Sequence, residues 1–205
     1  MKDELMTWKQ KLVCFGMVIL MAFGSGVYVG ATSRVSPVHL ENLAQDQMQT
    51  IFTPSEQGLP SYLQFLDHAK KSVFIAAYGF TEPSIVDKLI ELKEKRGVTV
   101  RLVLDRSQSH GTYQRPQIER LRQAGIEVVI GTSPSHGQIM HNKFTVIDYE
   151  WVEDGSWNYS RSADFQGNVL NFVHSTERAK NFILTWQYLY NHMSQQSQDI
   201  SPKVR

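Results

Sequence analysis

The sequence predicts an α/β protein whose largely parallel sheet is covered by helices on both faces. Three observations carry this. Ser72–Phe80 (SVFIAAYGF) and Val98–Asp105 (VTVRLVLD) are continuous apolar, β-rich runs, the pattern of strands buried on both sides. Stretches of helical period separate them. The β-α-β-α-β order with short connections argues that the strands run largely parallel under helices on both faces.

Taken in order, Gln49–Thr53 reads as a first strand stopped by Pro54, and Leu59–Lys71 places apolar residues at helical spacing. After the Ser72 strand, Pro83 opens a helix that runs to Arg96 and closes at Gly97. The Val98 strand leads through the polar loop Arg106–Gly111 into a helix from about Gln114 to Ala124. Ile126–Ile130 is a third strand, and Gly131–Gly137 is a loop delivering the chain to a strand at His141. Trp151–Ser156 and Val169–His174 are further strands. Ser175 then caps a long amphipathic helix to about Ser194.

Residues 1–34 stand apart. Leu12–Ala31 holds about twenty residues without charge, enough to span a bilayer. Lys9 and Lys11 precede it and Arg34 follows, so the expected orientation leaves the body outside the cytoplasm. The run reads as a signal-anchor, or as a signal peptide cut after Ala31. Residues 35–48 are expected to form a linker, 49–196 the folded domain and 197–205 a loose tail.

Without its first 34 residues the chain keeps 17 basic and 18 acidic side chains, a net charge near −1, so it has no global nucleic-acid footprint. Phosphate binding must come from a local cluster. The single cysteine, Cys14, lies in the apolar run, which excludes disulfides and thiolate metal sites from the body.

The cluster is His141-Asn142-Lys143-Phe144-Thr145-Val146-Ile147-Asp148, followed by Gly155-Ser156-Trp157-Asn158. On a strand, His141 and Lys143 share a face while Phe144 and Val146 pack behind. Imidazole beside ammonium suits attack on phosphorus with charge neutralised on oxygen. The pattern H-x-K-x4-D-x6-G-S-x-N resembles the signature of the phospholipase D superfamily, in its single-motif branch of Nuc-type endonucleases and mitochondrial cardiolipin hydrolases. Ala76–Thr81, Arg96-Gly97-Val98, Asp105 and Ala124-Gly125-Ile126 look like further landmarks of that branch.

The resemblance implies an α/β/α sandwich with a mixed sheet, a metal-independent phosphodiesterase needing no cofactor, and a phosphate site formed by His141, Lys143, Ser156 and Asn158. His141 is the expected nucleophile, giving a covalent phosphohistidine, and Lys143, Asn158 and Ser156 are expected to hold phosphate oxygens. Asp148 belongs to the motif, either at the site or capping a turn. Gly155 in the turn and His110 at a strand's C-terminal end are expected substrate contacts. Nuc-type members carry a glutamate after the G-S-x-N turn; this chain has Gln166-Gly167-Asn168-Val169-Leu170-Asn171, leaving Asn168, Asn171 or Asp164 as substitutes. One signature supplies one histidine, whereas the chemistry uses a second as general acid. The expected unit is a homodimer sharing one site. Nucleic acid is the expected substrate, phospholipid the alternative, and a catalytically weak phosphate-binding module the third reading.

Overall fold

The computed structural model describes residue 40 and residues 43–199. The apolar Leu12–Ala31 run lies outside them, and no helix among the described residues is long and apolar enough to cross a membrane.

Seven strands form one mixed sheet in the order β1-β7-β6-β5-β2-β3-β4. They are β1 Gln47–Phe52, β2 Ser72–Ala77, β3 Thr99–Asp105, β4 Glu127–Gly131, β5 Lys143–Ile147, β6 Trp151–Gly155 and β7 Val169–His174. The helices are α1 Gly58–Leu66, α2 Pro83–Arg96, α3 Arg106–Ser109, α4 Gln114–Gln123 and α5 Thr176–Asp199. β1 thus begins inside the expected linker, and α5 runs into the expected tail.

The sheet is mixed, but it is not largely parallel. Only β2–β3 and β3–β4 pair in parallel; β1–β7, β7–β6, β6–β5 and β5–β2 are all antiparallel. The loop after β4 returns the chain to the edge where β2 ends, so β5 enters beside β2 running backwards. β5 and β6 are then joined by a tight hairpin whose central residues, Asp148 and Tyr149, have φ of 54° and 62°. Asp-Tyr lacks the Asn-Gly signature of such primed turns, so the turn carries no local signal of the hairpin.

Helices cover both faces, as the apolar runs required. Tyr62 and Phe65 of α1, Leu89 of α2 and Leu121 of α4 pack with Ile75, Leu102 and Phe172 of the sheet on one side. Ile183, Trp186 and Met193 of α5 pack with Phe74, Phe144 and Val146 on the other. Helix α2 has the predicted bounds, with Glu82 accepting from Ser84 N at its start and Gly97 in the left-handed region at its end. Helix α1 stops at Leu66 rather than Lys71. The reason is Asp148, whose carboxylate takes the N–H groups of Lys70, Lys71 and Ser72 at 2.8, 2.8 and 2.6 Å and holds them in a turn.

One edge of the sheet collects the chemistry. β2 and β3 end there, β5 begins there, and β6 ends there, so both halves of the motif meet although 13 residues lie between His141 and Gly155.

Candidate active site

Strand β5 begins at Lys143, so His141 stands just before it rather than within it. Its approach is still fixed. Tyr78 N donates to Asn142 O at 3.0 Å, extending the β2–β5 pairing by one step. The buried carboxylate of Asp105, at the end of β3, accepts from Met140 N at 2.7 Å and from Ser107 N at 2.8 Å. His141 is therefore exposed on a short segment pinned on both sides.

The imidazole and the ammonium meet. Lys143 Nζ lies 3.2 Å from His141 Nε2 and donates to His141 O at 2.9 Å. With Lys143 charged, the hydrogen bond runs from Nζ to Nε2, which makes Nε2 the unprotonated nitrogen. Burial pulls the Lys143 pKa below its ordinary value.

Tyr78, which the sequence marked as part of an apolar run and of a landmark segment but gave no role, completes this corner. Its ring meets the His141 ring edge-on with centroids 4.6 Å apart, and Lys143 Nζ lies 5.4 Å from its centroid. The Tyr78 hydroxyl accepts from Gln108 Nε2 at 2.9 Å. Gln108 is thus the residue by which the post-β3 segment reaches the site. His110, expected there, is an exposed residue ending α3, and among the described residues no hydrogen bond or ring contact links it to His141.

Asn158 sits against β2. A Cβ on Gly79 would lie 3.3 Å from Asn158 Oδ1, so glycine leaves the room that the amide fills. That Oδ1 is buried and has no hydrogen-bond partner among the described residues. Tyr159 N donates to Gly79 O at 3.1 Å, locking the turn to the strand that carries Tyr78. Ser156 is exposed, but its hydroxyl is engaged with Asn168 Oδ1 at 3.1 Å and Val169 N at 3.0 Å. It buttresses the turn.

Two expected site residues have other work. Asp148 lies at the far end of β5, roughly 16 Å beyond Lys143 at about 3.3 Å per strand residue. With three backbone N–H groups on its carboxylate it holds a turn, and the fold does not bring it beside His141. Gly155 is glycine because a Cβ there would stand 2.0 Å from Val169 O, and this close approach of β6 to β7 explains it without a substrate.

None of the substitutes for the missing glutamate reaches His141. Asn168 bonds Ser156 and Ala163 O, Asn171 bonds Thr50 and Asp154, and Asp164 bonds Trp157 Nε1 and Leu59 N. Besides Asp105, a second acid, Glu153 on β6, is fully buried beneath the motif strands. Its Oε2 accepts from the Tyr159 hydroxyl at 2.9 Å; Tyr159 meets Thr145 Oγ1 at 3.1 Å, and Thr145 meets the Tyr62 hydroxyl at 2.7 Å. Burial raises the Glu153 pKa to about 8 against the opposing Tyr159 hydrogen bond, so the carboxyl is mostly neutral at pH 7. This network joins Thr145, two residues after Lys143, to Tyr159, one residue after Asn158. An acid in the middle of strand β6 was its only sequence signal.

An imidazole and an ammonium thus meet at an exposed strand edge, with an amide on the adjoining turn. Residues 62–188 match the domain family described as "Cardiolipin synthase, PLD-like domain". The phospholipase D of Rickettsia prowazekii is 28% identical over 194 residues, covering 86% of this chain and 91% of that protein. The mitochondrial cardiolipin hydrolase of Chlamydomonas reinhardtii is 34% identical over 112 residues, covering 55% of this chain and 48% of that protein. Among solved structures, the phospholipase D family member Nuc from Salmonella typhimurium superposes with a TM-score of 0.66 at 28% identity, over 72% of this chain and 95% of that one. The chain belongs to the phospholipase D superfamily and is a hydrolase of its PLD-like branch.

Proposed function

We propose that the protein is a phosphodiesterase that cleaves nucleic-acid phosphodiester bonds through a covalent phosphohistidine on His141. The observation that carries the chemistry is the 3.2 Å contact between His141 Nε2 and Lys143 Nζ at an open strand edge. Nε2 attacks phosphorus and the P–O bond to the leaving alcohol breaks. Lys143 and Asn158 hold the non-bridging oxygens as charge builds on them. Water then cleaves the P–N bond, returning His141 and releasing the phosphomonoester. The leaving oxygen needs a proton, and each protomer brings one such histidine. The proposed unit is a homodimer in which His141 of the partner subunit is the general acid. No step requires a metal.

The nucleic-acid reading draws on the resemblance to Nuc-type endonucleases and on Tyr113 and Arg161, an exposed ring and an exposed guanidinium beside the G-S-x-N turn. Phospholipid is the second reading. It is favoured by Phe52, Ile139 and Phe165, exposed apolar side chains on segments at the catalytic edge, and by relatives named phospholipase D and cardiolipin hydrolase. The Leu12–Ala31 run fits a domain anchored at a membrane and facing away from the cytoplasm, or exported after cleavage.

The test is to incubate the full chain with plasmid DNA, single-stranded DNA, RNA and phospholipid vesicles in EDTA, beside His141→Asn. Nuclease activity that persists in EDTA and disappears in the variant is expected. Activity surviving His141→Asn would sink the mechanism, and hydrolysis of vesicles alone would move the substrate to the second reading.

A further inference from the structure

A hollow of about 420 Å3 opens beside the G-S-x-N turn, walled by Thr81, Glu82, Tyr113, Gln117, Ser160 and Arg161. It adjoins the site by construction. Ser160 follows Asn158 by two residues, roughly 7 Å of extended chain. Thr81 N and Glu82 N both donate to Tyr159 O, at 2.8 and 3.0 Å, so this wall moves with the turn that carries Asn158.

One wall of the hollow, Glu82, is a buried carboxyl, 4% exposed. Its Oε1 is used, accepting from Ser84 N at 3.2 Å and Ser84 Oγ at 2.7 Å at the start of α2. Its Oε2 receives no hydrogen bond among the described residues. The guanidinium that faces it, Arg161, stands off with Nε at 4.0 Å on a side chain 84% exposed. A buried carboxylate oxygen without a donor is costly, and a ligand N–H that reaches it recovers that cost. At the rim, Tyr113 is 79% exposed and presents an aromatic face at the mouth of a polar hollow. A planar group bearing an N–H donor fits both features, the ring on Tyr113 and the donor on Glu82.

We propose that this hollow is a base-recognition subsite, which binds the nucleobase next to the scissile phosphate by accepting its exocyclic amino group on Glu82 Oε2 and stacking its ring on Tyr113. The proposal rests on the nucleic-acid reading above. Cytosine and thymine separate it most cleanly. They have nearly the same shape, but cytosine carries an N4 amino donor where thymine carries the O4 acceptor. A carboxylate therefore selects cytosine. In Glu82→Gln the side-chain oxygen can keep capping Ser84 while an amide N–H replaces Oε2, and selection turns toward thymine.

The experiment digests single-stranded oligonucleotides in which one dC or dT stands at successive positions in an otherwise constant sequence. It uses the full chain, Glu82→Gln and Tyr113→Ala, with cleavage positions read on sequencing gels. The native chain is expected to cut about tenfold faster beside dC than beside dT at one fixed offset, a discrimination of the size a single base contact supplies. Glu82→Gln is expected to abolish or reverse that ratio. Tyr113→Ala, at an exposed position where folding is not at stake, is expected to raise KM several-fold for both bases. Equal cleavage beside dC and dT in the native chain, or a ratio unmoved by Glu82→Gln, would overturn the subsite while leaving the nuclease reading standing. An unchanged KM in Tyr113→Ala would overturn the stacking. No cleavage of any oligonucleotide, alongside hydrolysis of vesicles of cardiolipin and phosphatidylcholine, would remove the nucleic-acid reading and the subsite with it.

Discussion

Replacing Glu153 by glutamine tests the buried network that ties the two halves of the motif together. The carboxyl is fully buried between β5 and β7, and one of its oxygens, Oε1, has no hydrogen-bond partner among the described residues. Burial raises its pKa from 4.5 to about 8; the Tyr159 hydrogen bond opposes this, and Asp154 adds to it. Each pH unit of difference corresponds to about 1.36 kcal/mol, so ionising the group inside the fold costs on the order of 5 kcal/mol. In the unfolded chain the carboxyl loses its proton near pH 4.5, whereas in the fold it keeps it until about 8. Between those values the folded state binds the extra proton, so this group's contribution falls as pH rises, by up to about 1.4 kcal/mol per unit, and levels off above 8. Glutamine keeps the shape and cannot ionise. Its amide leaves a donor poorly placed, a cost of about 1–2 kcal/mol at pH 5. The variant is therefore expected to be slightly less stable than the native chain at pH 5 and more stable by a few kcal/mol at pH 9. Urea unfolding of both proteins from pH 5 to 9 reads this directly. A stability difference that stays constant across the range would refute the reasoning, because Glu153 would then titrate alike in both states.

Other expectations follow from the same contacts. Tyr78→Leu removes the ring against His141 and above Lys143 and is expected to lower kcat about 100-fold, the usual penalty for a displaced reacting group, whereas Tyr78→Phe keeps the ring and should lose only a few-fold. If the two variants behave alike in steady-state assays, the hydroxyl rather than the ring does the positioning. Asp148→Ala is expected to cost about 3 kcal/mol of stability by freeing three backbone N–H groups, yet leave the kcat of the folded protein within a few-fold. Large loss of kcat at unchanged melting temperature would return Asp148 to the active site. Gly155→Ala, with its Cβ forced to within 2.0 Å of Val169 O, is expected to destabilise the fold by several kcal/mol, seen as a lower urea midpoint.

The sequence alone determined the α/β class and the bounds of α2, because apolar runs and helix-end signals are local. The resemblance of the H-x-K-x4-D-x6-G-S-x-N spacing to a family signature led to the expectation that His141, Lys143 and Asn158 share a site, and the fold brings His141 Nε2 and Lys143 Nζ to 3.2 Å. Strand direction was decided by tertiary structure. A buried strand reads the same whichever way its neighbour runs, and the hairpin at Asp148-Tyr149 carries no glycine to announce it. Tertiary structure also decided which motif residues gather beside His141. Asp148 satisfies the α1–β2 turn at the far end of β5, and Gly155 makes room for Val169 O. The residues that support the site come from three separate stretches: Tyr78 after β2, Asp105 and Gln108 at and just after the end of β3, and Glu153 on β6. They converge only because β2, β3, β5 and β6 share an edge, a juxtaposition with no counterpart along the chain.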